Sequence, residues 1–213
     1  MAGLSKREVR RREIAAAAQA VAAREGAEGA TLRAIAAEVG MAANAVLYYY
    51  GSLAEITNAA VKASSDRFLE KLSEAVRADM SPTARLAAVI GAGSAGLDDD
   101  ASRILYEYWP HSLRDGEMRR IQEELTNTQQ TIYEEIITDG TRAGMFFPVL
   151  APAKIARTLV AQEDGLLMDV LAGTASSDYV LDLIGSLAAA LLGIEPESLL
   201  EQIHCPERSL PGV

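Results

Sequence analysis

The sequence predicts an all-α protein: an N-terminal three-helix helix-turn-helix domain followed by a larger helical domain. Three observations predict it. Apolar residues recur at i, i+3, i+4 and i+7 in successive segments, which is the spacing of one helix face. Glycines and hydroxyl side chains punctuate those segments where helices stop and start. No stretch alternates apolar and polar residues over a useful length, as a half-buried strand would. Of the 213 residues, 49% are apolar, enough for a sizeable core.

The first helix is carried by Ile14, Ala17, Ala18, Val21 and Ala22, and Gly26 is its expected stop after Arg24 and Glu25. Thr31 precedes Leu32, Ile35, Ala36 and Val39, and its hydroxyl can cap a short second helix. Gly40 ends that helix and Met41-Ala42 make a turn. A third helix runs from about Ala43 to Tyr49, until Gly51-Ser52 interrupts it. Ser52 and Glu55 form S-x-x-E, a capping-box signature that opens a connecting helix over 53–79. Pro82 begins a segment that reaches about Leu97. Asp98-Asp99-Asp100 reads as the solvated start of a helix over 101–113; without matching ligands nearby, no metal site is expected. A long helix follows from Glu117 to Ala143, with Ile121, Leu125, Ile132 and Ile136 apolar. Gly144 and Pro148 bracket Met145-Phe146-Phe147. Two apolar helices, about 152–172 and 178–192, come next. The tail from Glu195, with three prolines, is expected to be partly frayed.

The net charge of -10 is unevenly spread. Residues 1–50 carry seven Lys/Arg against five Asp/Glu, about +2, so the remaining 163 residues hold about -12. Five of those cations (Lys6, Arg7, Arg10, Arg11, Arg12) lie in the first 12 residues. A basic end on an acidic body fits approach to an anionic polymer by that end alone; a solvated tail fits the charge equally well. One cysteine, Cys205, excludes an intrachain disulfide and fits a reducing cytoplasm. The sequence shows neither a signal peptide nor 18 consecutive apolar residues, so no membrane partner is expected.

Three of the seven tyrosines stand together as Tyr48, Tyr49 and Tyr50. A helix turns about 100° per residue, so with Val46 at 0° Tyr50 falls at about 40°, Asn44 at about 160° and Tyr48 at about 200°. Val46 and Tyr50 therefore face the core, Tyr49 sits at its edge, and Asn44 and Tyr48 share the outer face. An outward amide and aromatic ring one turn apart suit a major groove: asparagine pairs with adenine, and an aromatic face packs on a thymine methyl or a sugar. Ordinary core and surface tyrosines on a connector remain the plain alternative.

Two short helices joined by a glycine-containing turn form a helix-turn-helix pattern. The run TLRAIAAEVGMAANAVLYYYGSLAEI, residues 31–56, resembles the DNA-binding region of the tetracycline-repressor (TetR) family of bacterial regulators. Thr31, Ile35, Ala36, Gly40, Val46 and Tyr50 fall where that family places its cap, its core and its turn glycine. Ile14, Ala17-Ala18 and Gly26 match its first helix, so the resemblance covers residues 12–56. It implies domains at 1–51 (DNA-binding), 52–194 (effector-binding and dimerisation) and 195–213 (tail). It also implies operator DNA as a partner, with Thr31, Arg33, Ala43, Asn44, Tyr48 and Tyr49 in contact. Two family phosphate contacts are missing, because Leu47 and Leu53 stand where tyrosine and lysine are usual; Tyr49 and the basic arm 6–12 are expected to compensate. AGMFF, EDGLL and the closing helix pair resemble the family's second half more loosely.

Two further features follow. Val180, Leu183, Ile184, Leu187 and Leu191 form an apolar stripe beside small Gly185, Ala188 and Ala189. Small residues permit close helix approach, and the resemblance implies a homodimer through residues about 152–192; an intramolecular helix pair is the alternative. The stretch ILYEYWPHSLR, 104–114, concentrates aromatics beside Pro110, which removes a helical hydrogen bond and bends the chain. Tyr106, Trp109 and His111 are therefore candidate contacts for a small-molecule effector, with Tyr133, Phe146, Gln162 and Asp164 as further candidates. A bulky core layer is the alternative. No nucleophile elbow, zinc-protease, phosphate-loop or dinucleotide motif is present, so neither an enzyme nor a cofactor is expected. The reading is a cytoplasmic, homodimeric transcriptional repressor released by an effector. The alternative is a helical ligand-binding or interaction protein that has lost operator binding.

Overall fold

A computed structural model describes residues 5–94 and 100–205, without the side chains of 100–102. The described elements are α1 (Lys6–Gly29), α2 (Leu32–Glu38), α3 (Ala43–Tyr50), α4 (Leu53–Ala75), α5 (Pro82–Ser94), α6 (Asp100–Glu107), a 3-10 turn (Trp109–Leu113), α7 (Gly116–Arg142), α8 (Pro152–Leu171), α9 (Ser177–Leu192) and α10 (Pro196–His204). All are helical, as the sequence predicts. Among them no helix is long and apolar enough to cross a membrane. The chain divides into two compact units, one of Met1–Arg67 with Asp98–Glu123, the other of Phe68–Leu97 with Glu124–Val213.

In the first unit α1 packs against α2, α3 and α6. It opens with a complete capping box: the Ser5 hydroxyl accepts from the Glu8 amide at 3.2 Å, and the Glu8 carboxylate accepts from the Ser5 amide at 2.8 Å. The residues of that box, SKRE, stand in the sequence just ahead of the first apolar repeat. The helix kinks at the expected stop, Gly26, whose φ of 76° favours glycine, and continues briefly to Gly29. Ile14, Val21, Ile35, Val46, Ile56 and Val61 are fully buried and form the core of the unit. Gln19 ties α1 to α4 by donating to the Ala60 carbonyl (2.9 Å) and the Ser64 hydroxyl (2.8 Å). The Ser52 hydroxyl caps α4 by accepting from the Glu55 amide at 3.2 Å. The expected single helix over 101–113 is corrected: α6 ends at Glu107, and the chain tightens into a 3-10 turn carrying Pro110, because proline offers no N–H to continue the helix. Asp98 and Asp99 of the acidic run, and the side chain of Asp100, lie outside the described residues.

In the second unit α5 packs against α8, α9 and α10, and α9 packs against α8 and α10. The connecting helix ends at Ala75 rather than 79. A turn follows in which Met80 N donates to Arg77 O, and the Ser81 hydroxyl then caps α5 through the Ala84 amide. Part of the tail expected to be partly frayed is ordered, and residues 206–213 lie outside the described residues. Residues 196–204 form α10, with Leu199 fully buried and Ile203 nearly so. A Cβ on Gly185 would stand 2.7 Å from Leu200 and 2.8 Å from Ile203, so the missing side chain is the seat of α10. Ala188 and Ala189 are likewise buried in this chain. The small residues of α9 thus serve close approach within the chain, where the resemblance implied a second copy.

After α7 the chain turns back on itself. Phe146 N donates to Gly140 O at 3.1 Å, and the Phe146 ring lies directly on Gly140, 1% exposed. A Cβ at Gly140 would fall 2.2 Å from that ring. At an ordinary helix position Gly→Ala stabilises. Here we expect Gly140→Ala to lower stability by about 1–3 kcal/mol through overpacking. Urea denaturation checks the sign, and adding Phe146→Ala should make the Gly140→Ala change neutral or stabilising.

Candidate functional site

α3 is eight residues long and amphipathic in the expected sense. Val46 is fully buried and Tyr50 is 3% exposed, whereas Tyr48 is 75% exposed and Asn44 is also exposed. Tyr49 is intermediate, and its ring meets Tyr48 edge-on at 5.4 Å. The outward Asn44 and Tyr48 are one helical turn apart, with the small Ala42 and Ala43 at the N-terminal end. Ala42 provides no side-chain cap, and the first amides of a helix lack intrahelical acceptors, so this end can receive an anionic oxygen. Thr31 is exposed and caps α2, its hydroxyl accepting from Ala34 N at 3.2 Å. Arg33 is exposed on the first turn of α2. The supposed basic arm is the opening of α1. Lys6, Arg7, Arg10 and Arg12 are exposed there, but Arg11 is turned inward to α3, where its guanidinium donates to Tyr49 O at 2.6 Å.

The aromatic residues before α7 are less alike than their sequence implies. Ile104, Leu105 and Tyr108 are buried, as expected. Burial, with Glu107 beside it, pushes the Tyr108 hydroxyl up to about 12. Tyr106 and Trp109 are half-buried and stacked at 6.4 Å. His111 is exposed and lies 5.0 Å from the Tyr108 ring. These three effector candidates belong to the first unit, whereas Tyr133, Phe146, Gln162 and Asp164 belong to the second. Phe146 is taken up by Gly140.

The second unit holds a polar group that sequence reasoning passed over. Glu163, not its neighbours Gln162 or Asp164, points into the core and is 1% exposed. Gln129 Nε2 donates to its Oε2 at 2.8 Å, and the Tyr133 hydroxyl donates to its Oε1. α5 passes the carboxyl at Gly93, and the next side chain, Ser94, has a buried hydroxyl with no hydrogen-bond partner among the described residues. The signal was present: Glu163 sits at i+4 from Leu159, i+3 from Val160 and i-4 from Leu167, all buried. Half-buried Asp164 is raised to about 6 by desolvation, with Arg157 opposing. A cleft of about 370 Å³ lies along α7 between Thr131 and Arg142, with Glu134, Glu135 and Asp139 in its wall; it includes none of the effector candidates.

Desolvation raises the Glu163 carboxyl from 4.5 to about 8, although hydrogen bonds from Tyr133 and Gln129 oppose the rise. The folded protein then holds a proton that the unfolded chain gives up near pH 4.5. The corresponding stability is fully present below that pH and is lost as pH rises toward 8. We expect urea-unfolding stability to decline across this window by a few kcal/mol, about 1.4 kcal/mol for each pH unit crossed. Glu163→Gln should flatten the decline.

The comparisons with known proteins agree with this architecture. A family model described as BetI-type transcriptional repressor, C-terminal, matches residues 82–193, more than half of the chain. YfiR, an uncharacterised HTH-type transcriptional regulator of Bacillus subtilis (strain 168), is 26% identical over 165 residues, covering 76% of this chain and 80% of its own. A TetR transcription regulator from Haloarcula marismortui superimposes with a TM-score of 0.78 at 20% identity, covering 87% of this chain and 99% of its own. A transcriptional regulator from Saccharomonospora viridis, solved in complex with choline, superimposes with a TM-score of 0.75 at 22% identity, covering 87% of this chain and 98% of its own. At these identities the two structures show a shared fold. The family match rests on α5 through α9, the half in which sequence resemblance was loosest, and joins it to the helix-turn-helix at the other end: the chain belongs to the TetR family of transcriptional regulators, with a C-terminal half of the BetI type.

Proposed function

We propose that this protein is a repressor that binds a near-palindromic operator as a homodimer and is released by a small-molecule effector. One observation carries the DNA reading: α3 sends Asn44 and Tyr48 outward while Val46 and Tyr50 anchor it. Residues 1–51 are the DNA-binding domain and 52–194 the effector-binding and dimerisation domain, with α10 added to the latter. Thr31, Arg33, Ala43 and Tyr49 flank the reading face as phosphate or sugar contacts, and Asn44 and Tyr48 read base edges. Repression is supported by the description of the matching family model. A cytoplasmic location follows from access to DNA.

Dimerisation is supported by what α8 and α9 leave uncovered. Met168, Tyr179 and Leu183 are 50%, 57% and 38% exposed, although Val180 and Ile184 of the same stripe are buried within the chain. A two-fold contact repeats each residue, so one patch can cover its own copy. Leu183→Glu should give monomers by sedimentation and abolish operator binding, because it places two charges in one interface. A variant that stays dimeric moves the interface elsewhere.

The wild-type protein should enrich a near-palindromic site from a random-sequence duplex pool. Asn44→Ala and Tyr48→Ala should each weaken that site by about 1–3 kcal/mol and leave binding to a scrambled duplex nearly unchanged. If no sequence is enriched, the ligand-binding or interaction reading, whose one support is the lack of phosphate donors at Leu47 and Leu53, replaces this one.

The effector reading has a separate candidate group in each unit: the Tyr106–Trp109 stack with His111 in the first, and Tyr133, Gln162 and Asp164 near buried Glu163 in the second. The choline-bound relative makes small organic cations the first class to screen. Operator and effector must weaken each other by the same factor, and a tenfold release needs about 1.4 kcal/mol of coupling. Trp109 is the only tryptophan, so a releasing effector should perturb its emission, and Trp109→Ala should reduce release while sparing effector-free DNA binding.

A further inference from the structure

Arg11 stands apart from the other cations of α1. Its guanidinium donates to Tyr49 O at 2.6 Å, and its Cζ lies 4.0 Å from the centre of the Tyr50 ring. In return the Tyr50 hydroxyl donates to Arg11 O at 2.8 Å. Tyr49 and Tyr50 are the last two residues of α3, and the last carbonyls of a helix have no intrahelical donor. A cation there satisfies one of them and opposes the negative end of the helix dipole. Its face on an aromatic ring adds a cation–π contact. Three contacts of different kinds therefore tie one side chain and its own backbone to the C-terminal turn of the reading helix.

The neighbouring cations have no such ties to α3. Lys6, Arg7, Arg10 and Arg12 are exposed, and Arg10 is paired within α1 to Glu13 at 2.6 Å. α3 needs such a tie. It has eight residues, no side-chain N-cap and two buried side chains, Val46 and Tyr50. The tie at its last turn sets the rotation that aims Asn44 and Tyr48.

We propose that Arg11 is a positioning residue for DNA readout, locking α3 to α1 rather than contacting phosphate. This rests on the reading of α3 as the DNA-reading helix. The consequence is a separation of roles within one basic stretch: the exposed cations supply salt-dependent, sequence-independent attraction, and Arg11 supplies sequence discrimination.

The test uses the full chain, the duplex that the wild type enriches from a random pool, and a scrambled duplex of the same composition. Arg11→Ala should lose about tenfold on the enriched duplex and little on the scrambled one. Its slope of log affinity against log salt should match wild type, whereas Arg7→Ala should flatten that slope by about 0.9. Amide exchange at Tyr49, Tyr50 and Gly51 should accelerate in Arg11→Ala, with the α2 amides unchanged. Arg11→Lys, which keeps a donor and a cation, should restore part of both readouts. Tyr50→Phe removes only the bond to Arg11 O and should shift both in the same direction by less, which keeps the test valid if Arg11→Ala folds poorly. A flattened slope in Arg11→Ala, equal losses on both duplexes, or unchanged exchange at α3 overturns the inference while leaving α3 as the reader. A wild-type protein that enriches no sequence sinks the DNA reading and this inference with it.

Discussion

An eight-residue helix does not hold itself together in water, because the nucleation cost outweighs so few hydrogen bonds. α3 exists because Val46 and Tyr50 are buried against the rest of the first unit and because one of its last carbonyls, Tyr49 O, is met from α1. The outward face of the helix depends on this. Asn44 and Tyr48 are presentable only while the opposite face is anchored, since a rotation that exposed Val46 would turn them inward. Much of the first unit serves that end: the α1 core residues build the surface α3 rests on, Thr31 starts α2, and Gly40 turns the chain between them.

The second unit is organised around a different constraint. A carboxyl with no cation bonded to it among the described residues occupies the apolar face of α8, and it is tolerated because Tyr133 and Gln129 donate to it. The same burial favours its protonated form near neutral pH. Such a group couples the packing of α7 and α8 to proton binding. In the same unit α9 and α10 meet closely because Gly185 has no side chain, so α10 is as integral as the helices before it.

On the proposed DNA reading, Leu47 and Leu53 offer no donor to phosphate, whereas the exposed cations of α1 and Arg33 offer charge. That proposal separates where attraction and discrimination reside. α3 carries no charged side chain, so if it reads DNA as proposed above, its outward amide and tyrosine must be aimed by its packing rather than steered by charge.

The helices and their inward faces were legible in the sequence because helix periodicity is local: Ile14, Val21, Ile35, Val46 and Tyr50 declare their side by spacing alone. The same rule placed Asn44 and Tyr48 outward, and Gly26, read as the stop of the first helix, marks the kink within α1. The Ser5–Glu8 box and the inward phase of Glu163 are local signals of the same kind. Other features were decided only by tertiary structure, because they depend on contacts between residues far apart in the chain. Whether Gly185 admits a partner protomer or α10 depends on where Leu200 and Ile203 arrive. Whether Phe146 lines a ligand or covers a helix end depends on Gly140 lying beneath it. Whether Arg11 faces phosphate or α3 depends on the crossing of two helices that brings it to Tyr49, 38 residues away in sequence. Spacing determines which way a side chain points from its own helix; only packing determines what it meets.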